Sequence, residues 1–397
     1  MADLWYQLLS RLCARIYFSR VEVLPAAPRL AGPTLLVALH RNGAVDGWVY
    51  KSIFPTATFL IAAQLRKNLL ARLFFTGITV IRDKDAEQDA GDRSANAASM
   101  NLCHELLASG GVLAIFPEGT SSLGPRHLPF KSGAARLAAD AWQQNLPLTV
   151  IPLGITYDAP STFRSNVQVI VGTPLSPPSN SSSLTLPEIK QALASRLEAV
   201  CINVDSDAHY LDIRALASFV SPEIPYHHAL KALEPSLPAA LQNDWRSLRE
   251  ALANHGLLHP ERSPFSPLSP LLTLPATLLL SPFVIAAALL NAPPLLAAWI
   301  AGRKFPDAPN VITLWRILVG APLLVFWVLL LFVVALAPHF SFLFLSYLAL
   351  SFLGLDLYAP WKRLLRHSLN ALRAPSLRST YLAFRLKLLQ ELGARAS

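Results

Sequence analysis

The sequence predicts an α/β protein: a sheet covered by helices, then a helical connector and a C-terminal α-helical membrane module. Three observations predict it. Over roughly the first 200 residues, short extended apolar runs alternate with helix-like stretches, the pattern of a helix-covered sheet. The composition is 53% hydrophobic and 15% charged, with a mean hydropathy of +0.39. That is too apolar for an ordinary soluble enzyme, whose charged fraction is near 25%, and the reverse of a disordered chain. Finally, residues 263–302 and 317–355 contain no Asp, Glu, Lys or Arg.

Taken in order, residues 4–18 are apolar with interspersed arginines and suit a helix lying on a membrane surface. Asp3 precedes them and no small-residue cleavage site follows, so they do not read as a secretory signal. Extended runs at 33–39, 58–62, 78–81, 112–116, 148–156 and 167–171 predict strands, and 95–109, 132–143 and 186–200 predict helices. The Pro- and Ser-rich stretch 176–183 is a loop, and 263–270 is a hinge. This divides the chain into an α/β domain with an N-terminal amphipathic helix (1–205), a helical connector (206–262), a membrane module (263–360) and a basic amphipathic tail (361–397).

About 20 apolar residues cross a bilayer as a helix. The second charge-free stretch splits at Ala337-Pro338-His339 into spans at 317–337 and 340–357. The first, around 271–300, reads as one span or as a hairpin, because Pro275, Pro282 and Asn291-Ala292-Pro293-Pro294 invite breaks. A hairpin puts Arg303, Lys304, Arg316, the tail and the N-terminal domain on one side, which the positive-inside rule favours. The expectation is an integral membrane protein with N-terminal domain and tail at the cytoplasmic side. Eight Lys and Arg stand in 361–397 against Glu391 alone. They are interleaved with leucines at helical spacing, which suits an anionic membrane surface better than nucleic acid. The three cysteines, Cys13, Cys103 and Cys201, make neither a disulfide framework nor a CxxC metal pattern.

Three segments carry chemistry, each at the end of a predicted strand, where α/β sheets place ligand sites. In His40-Arg41-Asn42-Gly43-Ala44-Val45-Asp46, the Asn-Gly turn lets Asp46 face back to His40. A carboxylate on one ring nitrogen fixes the tautomer and leaves the other free to take a proton. Gly77-Ile78-Thr79-Val80-Ile81-Arg82 ends a strand in a cation whose planar fork matches phosphate. Phe116-Pro117-Glu118-Gly119-Thr120-Ser121-Ser122 leads through Arg126 to Phe130-Lys131-Ser132-Gly133, a turn and helix start whose N–H groups suit a phosphate. Each segment alone is equally a structural turn or a surface pair. No serine or cysteine lies in a nucleophile elbow, and the remaining histidines form no metal-ligand pattern, His255 and His259 being separated by Gly256.

In this order and spacing the segments resemble the phospholipid/glycerolphosphate acyltransferase superfamily, to which Val150-Ile151-Pro152-Leu153-Gly154 and Val171-Gly172-Thr173-Pro174-Leu175 add further likeness. The resemblance covers roughly residues 15–200 and implies a glycerolphosphate-acyltransferase-like sheet. Five residues separate His40 from Asp46, where the commonest family spacing is four. That longer form, with Phe18–Val23 before the strand and membrane segments after the domain, looks like the branch acylating glycerol 3-phosphate or dihydroxyacetone phosphate. Ser121 stands where the commonest motif has arginine.

The resemblance implies His40 as general base with Asp46 holding it. Arg82, Gly77, Glu118, Gly119, Thr120 and Lys131 would position the glycerol-phosphate end. It implies acyl-CoA or acyl-carrier protein as donor substrate, no cofactor or metal, and a lipid bilayer rather than nucleic acid as partner. Lysophosphatidate or another lysophospholipid is the rival acceptor, and a non-catalytic membrane-anchored scaffold the rival class.

Overall fold

Parallel strands buried on both faces need runs of Val, Leu and Ile rather than alternation, and the N-terminal half supplies them. The computed structural model describes residues 2–66, 69–81, 93–177, 185–221, 223–336 and 341–396. Seven strands form one sheet: β1 (Arg20–Leu24), β2 (Thr34–Ala38), β3 (Ala57–Ala62), β4 (Ile78–Val80), β5 (Val112–Ile115), β6 (Thr149–Tyr157) and β7 (Asn166–Val171), in the order β1-β7-β6-β2-β5-β3-β4. Strands β4, β3, β5, β2 and β6 run parallel, and β7 is antiparallel to β6. All five residues of β2, TLLVA, are buried at the sheet centre. Helices α1 (Ala2–Tyr17), α2 (Val45–Ile53), α3 (Leu69–Phe74), α4 (Arg93–Ala108), α5 (Gly133–Gln143) and α6 (Leu186–Val200) accompany the sheet.

α1 buries Tyr6, Leu9, Cys13 and Tyr17 and leaves Leu4, Trp5, Leu8 and Leu12 exposed. Two elements differ from the sequence reading. β1 alternates Arg, Val, Glu and Val at the sheet edge, a pattern too short and charged to announce itself. α2 carries Asp46 and Lys51, yet both are buried. Lys51 donates to Ala57 O and Asp3 Oδ1, which offsets the cost of removing its charge from water.

The chain divides into two compact units. The sheet belongs to one, made of residues 1–157, 167–201 and 308–314. The other comprises 158–166, 202–307 and 315–397 and is all-helical in its long segments: α7 (Asp207–Val220), α8 (Tyr226–Leu233), α9 (Ala239–Asn254), α10 (Pro270–Leu290), α11 (Ala292–Lys304), most of α12 (Ile312–Ala335), α13 (Ser341–Arg373) and α14 (Pro375–Ala396). The sequence separates connector from tail, whereas the structure packs them together. Tyr381, Phe384 and Leu388 of α14 lie in one core with Phe219, Leu230, Trp245 and Leu248. Cations of the tail are spent internally, Arg378 on Leu268 O, Arg385 on Phe219 O and Glu223, and Lys387 on Asp244. A leucine stripe flanked by arginines reads the same whether it meets lipid or protein, which is why the sequence could not separate the two.

Among the described residues, three helices are long and apolar enough to cross a membrane: Pro270–Leu290, Pro309–Ala335 and Ser341–Arg373. The basic residues 362–373 therefore continue a span helix rather than begin a tail. α10 lies antiparallel along α13: Ser368 Oγ bonds Thr273 Oγ1 at 2.9 Å, Trp361 donates to Ser281 Oγ at 2.9 Å, and Asn291 donates to Ser351 Oγ at 2.9 Å. α12 runs antiparallel to α11, with Trp327 donating to Leu290 O and Gly320 facing Ala298. The chain thus reverses at Asn291, and α11 returns beside the path of α10. The turn expected at 337–339 lies outside the described residues.

Candidate active site

The central strand β2 delivers the key imidazole. Leu39 N bonds Leu153 O on β6, so His40 leaves the sheet at its C-terminal edge. The Asn42-Gly43 turn then reverses the chain into α2, and Asp46 in its first turn points back. His40 Nδ1 lies 2.9 Å from Asp46 Oδ2. The same oxygen accepts the backbone N–H of Arg41 at 2.6 Å and of Asn42 at 2.8 Å. Oδ1 accepts the hydroxyl of Tyr157, from the end of β6, at 2.5 Å.

The carboxylate is wholly buried, with four donors around it, while the His40 side chain keeps 15% exposure. A buried charge survives only when paired and hydrogen-bonded, and this one is. Burial, with the Asp46 charge adding to it, holds the Tyr157 phenol well above its ordinary pKa, so it stays a donor. The His40 ring stacks on Phe116, centroids 4.2 Å apart and planes at 17°. With Nδ1–H committed to Asp46, Nε2 is the nitrogen that can accept a proton.

β5, the neighbour of β2, delivers the second segment. Glu118 is 3% exposed, and each of its oxygens accepts a backbone N–H: Oε2 from His40 at 2.7 Å, Oε1 from Leu128 at 2.9 Å. Burial raises its pKa, and those two N–H groups work against the rise. Glu118 therefore braces two loops against each other. Arg41 does the same from the other side, its guanidinium donating to Gly124 O and Arg126 O. Ser122 N bonds His40 O at 3.1 Å, closing the brace. Gly119 N bonds Phe116 O in the turn, Thr120 is half-buried beside it, and the exposed Lys131 lays its side chain against Gly119.

The third segment is less complete. A Cβ at Gly77 would stand 2.1 Å from Phe59 O, so this glycine is what lets β4 close on β3. Arg82 lies outside the described residues. Of the residues singled out from sequence, the structure brings together His40, Asp46, Glu118, Gly119 and Lys131, and gives Gly77 a packing role. Sequence reasoning missed Tyr157, whose only local signal is its place at the end of an apolar strand parallel to β2. Among the described residues, no three His, Cys, Asp or Glu side chains converge as metal ligands would.

Residues 15–156 match the acyltransferase family model. The chain is 30% identical over 150 residues to a 1-acyl-sn-glycerol-3-phosphate acyltransferase of Chlamydomonas reinhardtii, covering 37% of this chain and 42% of that one. It is 24% identical over 178 residues to a probable 1-acyl-sn-glycerol-3-phosphate acyltransferase of Mycoplasma pneumoniae, covering 41% and 65%. It thus spans less than two thirds of either relative. Among solved structures it is similar to the 1-acyl-sn-glycerophosphate (LPA) acyltransferase PlsC of Thermotoga maritima, with a TM-score of 0.35 and 18% identity, covering 50% of this chain and 78% of that one.

Proposed function

We propose, on the premise that residues 15–156 are an acyltransferase-family domain of the phospholipid/glycerolphosphate superfamily, that this protein is a membrane-bound O-acyltransferase of glycerolipid synthesis. It moves a fatty acyl group from a thioester donor, acyl-CoA or acyl-carrier protein, to the hydroxyl of glycerol 3-phosphate. The observation that carries the reading is the buried Tyr157–Asp46–His40 chain at the C-terminal end of β2. In the second reading the acceptor is lysophosphatidate, as the names of both relatives favour. The five-residue separation of His40 and Asp46 favours glycerol 3-phosphate.

The acceptor hydroxyl gives its proton to His40 Nε2 as its oxygen attacks the thioester carbonyl carbon. The tetrahedral centre then collapses, the C–S bond breaks, and the leaving sulfur takes the proton back from the imidazolium. Asp46 holds the ring in the right tautomer and stabilises the transient charge. General-base assistance of this kind contributes about 10²–10⁴-fold, and alignment of two bound substrates roughly 7–11 kcal/mol. Lys131 and Arg82 receive the phosphate, beside the Gly119–Thr120 turn.

The substrates are amphiphiles, so a site at the bilayer surface avoids carrying long chains through water. α10 and α11 dip into the membrane and return, α12 and α13 cross it, and the apolar face of α1 rests on the surface. The catalytic domain, Arg303, Lys304 and the basic end of α13 then share the cytoplasmic side. Outside labelling of an engineered cysteine beside Arg303 would refute that topology.

The functional test is acyl transfer from a labelled long-chain acyl-CoA by membranes containing the protein, with glycerol 3-phosphate, dihydroxyacetone phosphate and lysophosphatidate offered separately. Transfer to glycerol 3-phosphate that disappears in His40→Ala is the expected result. Transfer to lysophosphatidate alone moves the enzyme to the second reading. A His40→Ala protein that still sustains the cellular role would mark a scaffold.

A further inference from the structure

The segment 308–314, which leads into the first turn of α12, lies far from the site in sequence, yet it packs into the unit that holds His40. Its Asn310 Nδ2 donates to Ser121 twice, to the carbonyl at 3.1 Å and to Oγ at 2.6 Å. The backbone of Asn310 presses on the other loop. A Cβ at Gly43 would stand 2.9 Å from Asn310 O and 3.5 Å from the Val311 side chain, and Gly43 itself sits at φ +58° in the turn joining His40 to Asp46. Thr313 Oγ1, three residues on, bonds Tyr17 OH at 3.3 Å and anchors the segment to α1. Asn310 thus bridges the loop that carries the imidazole and the loop that runs from Glu118 to Ser122, and Ser122 N in turn bonds His40 O.

We propose that Asn310 is a positioning residue for the acyl acceptor: it sets the 119–122 loop at a fixed distance from His40, and so places that loop and the Lys131 side chain lying on it relative to the base. Resting on the acyltransferase reading, this assigns the acceptor half of the site a residue from outside the family-matched region, 189 positions from its partner. The chemistry suits the task. A carboxamide has two N–H donors and a fixed plane, so it can hold a main-chain carbonyl and a hydroxyl at once. A glycine pressed beneath its backbone leaves no room for the two loops to slide.

The test is Asn310→Ala in the full-length protein in detergent, with Asn310→Asp as a near-isosteric variant whose carboxylate cannot donate to Ser121 O. Amide hydrogen exchange over 117–128 is read beside separate KM values for acceptor and acyl-CoA. Expected are faster exchange confined to 117–128 and an acceptor KM raised about tenfold, the scale of one lost hydrogen bond. Acyl-CoA KM and melting temperature should stay unchanged. Asn310→Asp should behave like Asn310→Ala, and Ser121→Ala added to Asn310→Ala should cost nothing more. Unchanged exchange in that loop overturns the proposal, whatever the reaction. Faster exchange with both KM values unchanged overturns the acceptor role. A falling melting temperature with both KM values rising makes Asn310 a residue of the fold alone. If the unmutated protein transfers to none of the acceptors, the acyltransferase reading itself falls and takes this proposal with it, an outcome the unmutated control separates from the rest.

Discussion

Tyr157→Phe is the change that most directly tests how the base is held. It removes one oxygen and leaves a ring that still packs against Phe18, 5.7 Å away. What it takes from the site is the hydroxyl donating to Asp46 Oδ1, at 2.5 Å, in a place with no exposure to water. The other three donors, His40 Nδ1 and the N–H groups of Arg41 and Asn42, all converge on Oδ2. Oδ1 is then left without that donor. A hydrogen bond to a charged group contributes about 1.5–3 kcal/mol. If that is lost where the imidazolium forms, kcat falls roughly 10- to 150-fold. Both KM values stay put, since Tyr157 reaches substrate only through Asp46 and His40. The assay is initial acyl-transfer rate with purified protein in detergent, beside a thermal melt. A folded Tyr157→Phe protein with the unmutated kcat would refute the reasoning and leave the contact as packing.

Glu118→Gln keeps one acceptor for the N–H groups of His40 and Leu128 and turns an amide donor toward the other. A buried N–H left unsatisfied costs about 1–3 kcal/mol, so both melting temperature and kcat should fall. His227, buried in α8, has its pKa lowered to about 3, first by burial and then by the charges of His228 and Lys231. The unfolded chain protonates it near 6.5, so stability is full above that pH and drains away as pH falls towards 3. By pH 4.5 that amounts to about 2–3 kcal/mol, and His227→Phe should flatten this part of an unfolding profile followed by tryptophan fluorescence. At Gly354 a Cβ would stand 2.2 Å from Ala287 Cβ, at the contact of α13 with α10. Gly354→Leu should lower the melting temperature or abolish expression, while Gly393→Ala, which meets nothing within 4 Å, should be neutral or slightly stabilising.

How far the sequence can be read depends on how far apart the interacting groups lie along it. His40 and Asp46 are legible because six positions and one Asn-Gly turn are all that join them. The six strands expected from apolar runs are found in the sheet because β2, β5 and β6 are buried on both faces and must be continuously apolar. β1 and α2 escaped for the complementary reason. Their buried or half-buried charges, Glu22 and Lys51, are matched by Gln168 and Asp3, partners that no local window contains, with Ala57 O as a second acceptor for Lys51. Tyr157 lies 111 positions from Asp46 and Asn310 lies 189 from Ser121.

Such long-range polar contacts leave no periodicity, since the sheet register and the return of the chain after α11 bring them together, not any local spacing. A register slip of one residue in β6 would turn Tyr157 to the opposite face and leave Asp46 Oδ1 buried without that donor. The register seen, Val37 beside Pro152 and Ala38 beside Leu153, is therefore favoured by the Asp46 carboxylate as well as by the apolar core. The polar groups that serve the chemistry also help choose the fold that assembles them. It follows that Tyr157→Phe should weaken β6 protection in amide exchange more than an equally buried Leu153→Val, which leaves every hydrogen bond in place.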